Sequence, residues 1–302
     1  MEDSGYMARA AFIMDRMMHK IGLHGKSFIP LIMGFGCNVP AILATRSIES
    51  KSSRIITMLI NPFMSCSARL PIYLLLAGAF FREYAAIVFF GLYILGVLVA
   101  IITARILRRF YFKEDETPFV MELPPYRMPT MKTSLSHMWD KGAQYLRKMG
   151  GIILFASIIV WALNYFPHHD AVADTPSEIV ANSSPEINPE TDSFLEMMGK
   201  AVNPIMEPLG FHWRATVAIV AGIPAKEIVV STLGVVDGTN EFSIASALSF
   251  MVFVLLYCPC IASITAIVKE SGSWKYGAFS VLYNTLVAWI AAFIIYHLAL
   301  LF

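Results

Sequence analysis

Four cysteines carry most of the chemistry open to this chain, and each stands where an apolar segment is interrupted. Cys37 and Asn38 follow Gly34-Phe35-Gly36 and precede Pro40. Cys66 lies between Asn61-Pro62 and Pro71, and Cys258 and Cys260 flank Pro259. Thiolates suit soft or borderline metals, and two cysteines on either side of a proline can point toward one ion. Cysteine is also a small hydrophobe that packs inertly, and a lone one reads that way. Repeated at broken apolar segments, the thiols read as metal ligands. An ion that must leave again needs a weak site of cysteine with amide, hydroxyl and one carboxylate. Asn38 supplies the amide, and Glu227, beside Gly222-Ile223-Pro224 and Lys226, is the candidate carboxylate. Arg69, Lys226 and Glu227 are ionisable residues near membrane depth, where the default reading is functional; equally, Glu227 and Arg69 could be structural partners of other charges, and Lys226 could simply snorkel.

The elements that hold these residues are membrane-like. Of 302 residues, 57% are hydrophobic and 15% charged, against about a quarter charged in soluble domains. The sequence therefore predicts an all-α polytopic membrane protein. A net charge of +1, with no basic cluster interleaved with aromatics, gives no sign of nucleic-acid binding. Cysteines buried in apolar runs argue against a secreted disulfide framework.

Glycine and proline release carbonyls from the helical ladder, and at membrane depth these need another partner. Gly34, Gly36, Pro40, Pro62, Pro224 and Pro259 are the expected breaks. Ser27–Thr45 has no charge over nineteen residues and is long enough to cross a bilayer. Ile55–Phe81 is a second damaged span, Tyr84–Ala104 an intact one, Ala215–Val236 a third damaged one, Ser243–Val268 a fourth, and Tyr276–Phe302 closes the chain. Residues 2–20 form an amphipathic helix with Tyr6, Ala10, Ile13 and Met17 on its apolar face. The charges there exclude a signal peptide, and the abrupt start reads like the middle of something longer. Gly25-Lys26-Ser27 is not a phosphate loop, because position 20 is lysine and no strand precedes it.

The damaged segments come as two pairs, and aligning Cys66-Ser67-Ala68-Arg69-Leu70 with Cys260-Ile261-Ala262-Ser263-Ile264 suggests an internal repeat. Interrupted segments at matching places in two halves point to a transporter binding site. Simple counting of crossings gives the halves the same orientation, and one re-entrant segment would invert it. Three regions follow: a first region of broken spans (1–107), a basic loop with a surface helix at Met131–Met149 (108–149), and a span, outer loop, second set of broken spans and closing span (150–302). Arginine and lysine concentrate in 105–148, which places that loop in the cytoplasm. Gly150–Phe166 spans outward, and residues 167–193, with six acids and no lysine or arginine, lie outside. His168-His169-Asp170 reads as a solvated loop, and most of the seventeen methionines as apolar filler.

Gly36-Cys37-Asn38-Val39-Pro40-Ala41 resembles the FeoB family, bacterial ferrous iron transport protein B. So do Glu2–Arg9, Pro62–Leu70, Thr117–Pro124, Ala225–Val230 and Tyr257–Cys260, covering nearly the whole chain. The resemblance implies Fe2+ import across the bacterial inner membrane through two gate regions, with Cys37, Cys66 and Cys260 lining the path. It implies no permanently bound cofactor, with Fe2+ as transported substrate. It also implies a GTP-binding domain and a helical regulatory domain, neither recognised here, so GTP would act through a missing domain or a separate FeoB-like chain. A small FeoA-like regulator and a homo-oligomer are the other implied partners besides the lipid bilayer. A nucleoside or other solute carrier with the same gates is the alternative. A membrane thiol oxidoreductase fits poorly, since one residue between Cys258 and Cys260 disfavours a disulfide, and a metal-pumping ATPase would need phosphorylation machinery.

Overall fold

The structure is a computed structural model that describes residues 6–112, 131–165, 194–224, 226–235 and 242–301. The expected acidic loop 167–193 and the tract 113–130 lie outside the described residues.

The chain begins with α1 (Tyr6–Ile21), then α2 (Phe28–Gly34) and α3 (Asn38–Ala44), α4 (Lys51–Ile60) and α5 (Leu70–Phe80), and the long α6 (Ala85–Phe110). A single helix α7 (Met131–Tyr165) follows. The second series is α8 (Phe194–Met206), α9 (Trp213–Ala221) and α10 (Glu227–Val235), α11 (Ile244–Leu256) and α12 (Ile261–Ser271), and the long α13 (Trp274–Leu300). The two series match element for element. Each has an approach helix, a left-handed glycine (Gly22 at φ +88°, Gly210 at φ +76°), two short helices, a broken span and a long closing helix.

Two short helices of seven residues reach only about 10 Å each, too little to cross a bilayer in sequence. They fold back instead. Lys26 Nζ, before α2, pairs with Glu49 Oε1, after α3, at 2.7 Å. A straight segment would separate those residues by roughly 34 Å. Ser27–Thr45 is thus a re-entrant hairpin, which corrects the expectation of a crossing. α9 and α10 fold back the same way, with Ile228 packed on Val217 and Ala221. The described part of the expected span Ala215–Val236, α9 and α10, does not cross either.

The re-entrant hairpins invert the repeat. At one face, Arg46 after the first hairpin and Arg54 in α4 both reach Glu270 at the end of α12. Arg108 near the end of α6 lies beside Gly22 at this same face. At the opposite face, Gly210, leading into the second hairpin, packs against Tyr296 near the end of α13. So α4–α5 crosses away from the first face, α11–α12 crosses back toward it, and the hairpins enter from opposite sides. Lys269 and Lys275, which flank the tight turn at Gly272 (φ +70°), stand at the surface between two crossings. α3 packs on α12, and α10 packs on α5, so the returning arm of each hairpin lies against the other repeat.

Among the described residues, four stretches are long and apolar enough to cross a membrane: Lys51–Phe80, Ala85–Phe110, Ile244–Ser271 and Trp274–Leu300. Ile87, Phe90, Ile94, Leu98 and Ile102 of α6 form an exposed stripe at helical spacing, as do Leu282, Leu286, Ile290, Ile294 and Leu298 of α13. Apolar stripes exposed on this scale suit lipid. Two further expectations change. α7 runs unbroken through Met149–Gly151, so no separate surface helix ends there. In α1 the inward residues are Ala11 and Met18, while Ile13 and Met17 are exposed. Asp15 decides that rotation by accepting a hydrogen bond from the Gly25 amide at 2.8 Å.

Candidate functional site

The broken spans reveal how their freed backbone groups are satisfied. After α4, Asn61-Pro62-Phe63 forms a 3-10 turn, residues 64–66 are extended, and Ser67-Ala68-Arg69 turns into α5. Arg69 is 1% exposed, and its Nη1 donates to the carbonyls of Pro62 (3.0 Å) and Met64 (3.2 Å). A guanidinium offers several donors in a rigid fork, which suits carbonyls left without helical partners.

In the second repeat the equivalent break is Tyr257-Cys258-Pro259-Cys260. Lys226, at the tip of the second hairpin, is 3% exposed and donates Nζ to the Cys258 carbonyl at 2.6 Å. Its ammonium stands 3.0 Å from the centroid of the Tyr257 ring, a cation–π contact strengthened by desolvation. The first repeat makes the corresponding tip contact with polarity reversed: Ser67 donates N (3.2 Å) and Oγ (2.8 Å) to the Gly36 carbonyl. Each hairpin tip is therefore bonded to the break of its own repeat.

Three cysteines occupy one kind of position. Cys37 precedes α3, Cys66 the turn into α5, and Cys260 α12, each as an extended N-cap whose side chain makes no capping bond. Cys66 (φ −76°, ψ 159°) and Cys260 (φ −63°, ψ 155°) have nearly the same backbone conformation, as their alignment in the sequence suggested. Cys260 Sγ lies 3.2 Å from Ser263 Oγ, and the buried Cys258 thiol donates to the Pro259 carbonyl at 3.3 Å. None of the four cysteines forms a disulfide among the described residues.

The two breaks meet. Lys226 lies within electrostatic range of Arg69 and Cys66 of the first repeat and of Cys258 and Cys260 of the second, and so does Tyr257. Cys37 packs at the edge of the same core. Asn38 is 5% exposed, and its Oδ1 has no hydrogen-bond partner among the described residues. Glu227 is exposed in the first turn of α10 while its neighbour Lys226 turns inward. Pro40 lies in the first turn of α3, where proline is tolerated, so the first break falls at Phe35–Cys37 instead. Gly34 acts by closeness: a side chain there would collide with Asn61 Oδ1. Pro62, Pro224 and Pro259 stand in their breaks, and Gly36 supplies the tip carbonyl.

Among the described residues no three His, Cys, Asp or Glu side chains converge as a ready metal cage. The junction holds two cations, Arg69 and Lys226, beside three thiols. Sequence reasoning flagged Arg69 and Lys226 as ionisable but not their part as carbonyl partners. It also passed over Ser67, Tyr257 and the pairing of Glu270 with Arg46 and Arg54.

The chain matches the Gate family model, described as nucleoside recognition, over residues 1–80 and 146–274. It matches the model of the ferrous iron transport protein B C terminus over 89–141. A Porphyromonas gingivalis protein named Fe(2+) transport protein A/Fe(2+) transporter FeoB fusion protein is 51% identical, the alignment covering 100% of this chain and 41% of that protein. Proteins named Fe(2+) transporter FeoB from Methanocaldococcus jannaschii (45% identical, 98% of this chain, 44% of the relative) and Staphylococcus aureus (42%, 100%, 45%) are also similar. The chain thus spans under half the length of these curated relatives. No solved structure matches it.

Proposed function

The chain belongs to the FeoB family of ferrous iron transport proteins, and from that premise we propose that it is the membrane permease through which Fe2+ is imported. One observation carries the reading: buried Lys226 lies within electrostatic range of Cys66 of one inverted repeat and of Cys258 and Cys260 of the other, beside the breaks in both crossing spans. Broken half-helices at the interface of inverted repeats are where transporters hold their cargo. Thiol ligands fit ferrous iron better than they fit a hydrogen-bonding organic solute.

In this reading Cys37, Cys66, Cys258 and Cys260 pass the ion, with oxygen from Asn38 on the first hairpin and Glu227 on the second. Arg69 and Lys226 keep the thiolate cluster from holding the ion too tightly. Iron is cargo rather than a resident cofactor, and the chain acts as a transporter, not an enzyme. The face bearing Arg46, Arg54, Arg108 and Glu270 is cytoplasmic by its excess of basic residues, with 105–148 on that side and 167–193 outside, in a bacterial inner membrane. A GTP-binding component and a FeoA-like regulator complete the system.

Proteoliposomes holding the chain are assayed anaerobically for uptake of Fe2+, Mn2+ and a nucleoside, with and without a GTP-binding FeoB component. Fe2+ uptake in either condition supports the proposal. Nucleoside uptake without Fe2+ uptake overturns it.

A further inference from the structure

A second cluster lies at the first face, away from the cysteines. His19 and Lys20 at the end of α1, Gly22 after it, and Arg105, Arg108 and Arg109 at the end of α6 enclose a cavity of about 450 Å³. No carboxylate lines it among the described residues. Arg108 Nε and Nη1 are shielded from solvent and have no hydrogen-bond partner among the described residues. Shielded donors of a charged group left unpaired are costly, and Arg108 lines a basic cavity with no carboxylate in its wall among the described residues. The left-handed Gly22 makes room for them: a side chain on it would stand 3.0 Å from Arg108 Cγ.

The surroundings say which acceptor fits. α6 is one of the membrane-length helices, so its last turn ends at the level of the lipid headgroups. Ile106 and Phe110 on the cavity rim are 49% and 73% exposed, and Phe12, Ile13 and Met17 of α1 are exposed as well. An apolar ledge below a group of cations matches acyl chains below a phosphate. The opposite face supplies an internal control. There the equivalent Gly210 packs on Tyr296, and the last turn of α13 has only His297 as a basic residue. Closing this corner of the fold, or complementing a helix C-terminus, therefore does not require three arginines.

We propose that this cleft binds the phosphate of an anionic phospholipid headgroup. The lipid docks α1 against α6 and so fixes the approach to the first hairpin. The test titrates the purified chain in neutral detergent with phosphatidylglycerol, phosphatidylcholine and inorganic phosphate, reading bound lipid by native mass spectrometry and Tm in parallel. Phosphatidylglycerol is expected to bind roughly tenfold tighter than phosphatidylcholine, with about a fivefold loss for each cation removed. Arg108→Gln carries the direct test. Lys20→Gln with Arg105→Gln, both at exposed positions, carries it should Arg108→Gln fail to fold. Equal binding of the two lipids, or unchanged phosphatidylglycerol binding in the double variant, overturns the proposal. Inorganic phosphate that raises Tm alone and displaces the lipid assigns the cleft to free phosphate and overturns the lipid source.

Discussion

Lys226 Nζ donates to the carbonyl of Cys258 at 2.6 Å, tying the tip of the second hairpin to the break of the span beside it. Both partners are buried, Lys226 at 3% and Cys258 at 6% exposure. That bond makes the position of one thiol depend on the hairpin. Lys226→Met leaves the carbonyl unpaired at a cost of about 1–2 kcal/mol, which raises the locally open fraction roughly five- to thirtyfold. Cys258 should then react with a maleimide faster by a similar factor, measured by mass spectrometry with Cys37, Cys66 and Cys260 as internal references. An unchanged Cys258 rate would mean that the hairpin is held elsewhere.

The first hairpin seats by close approach. Gly34 lies against Asn61 Oδ1 and Met64 Cβ, so Gly34→Ala must push the hairpin off the break. Overpacking of this kind costs about 1–3 kcal/mol. A lowered Tm is expected, partly restored by adding Asn61→Ala, which removes the nearest atom in the way. Additive losses in the double variant would argue against this packing.

Glu270 joins the repeats at the first face. Its side chain is 5% exposed, Arg46 Nε and Arg54 Nη2 each approach Oε2 at 2.8 Å, and Arg54 also reaches the Glu270 carbonyl. Arg46 is 61% exposed, so Arg46→Ala should cost less than about 1 kcal/mol. Glu270→Ala strips the partner from both arginines and should cost more, about 1–3 kcal/mol after discounting for exposure. Thermal unfolding of the two variants gives the order directly.

His24 makes the first hairpin sensitive to acid. Its Nδ1 accepts from the Lys26 amide at 3.1 Å as an N-cap. Burial holds its pKa below the usual histidine value, with Lys26 and His19 acting the same way and Asp15 and Glu49 opposing. The unfolded state thus takes up the proton first, so this contribution is complete above about pH 6.5 and is lost as pH falls below it. Tm should drop between pH 7.5 and 5.5, and His24→Asn, which keeps an acceptor, should flatten the drop. Identical profiles would place the acid sensitivity elsewhere.

The helical class, the breaks and the pairing of Cys66 with Cys260 were legible in the sequence, because glycine, proline and thiols in apolar runs leave a local mark. Re-entry at Ser27–Thr45 was not. Charge-free length is the same for a crossing and for a hairpin, and the contact that separates them, Lys26 with Glu49, spans twenty-three positions. The rotation of α1 depended on Asp15 reaching Gly25, a bond invisible to periodicity. The inward turn of Lys226 was likewise hidden, since the carbonyl it serves lies thirty-two residues away.

The central claim is that thiols from both inverted repeats handle one ion. The most direct measurement is anaerobic alkylation of Cys66 and Cys260, both partly exposed, with and without Fe2+. Fe2+ should slow both reactions in the wild type. Cys66→Ser should abolish the protection of Cys260, and Cys260→Ser that of Cys66. Protection that persists at either thiol after loss of the other would contradict a shared site.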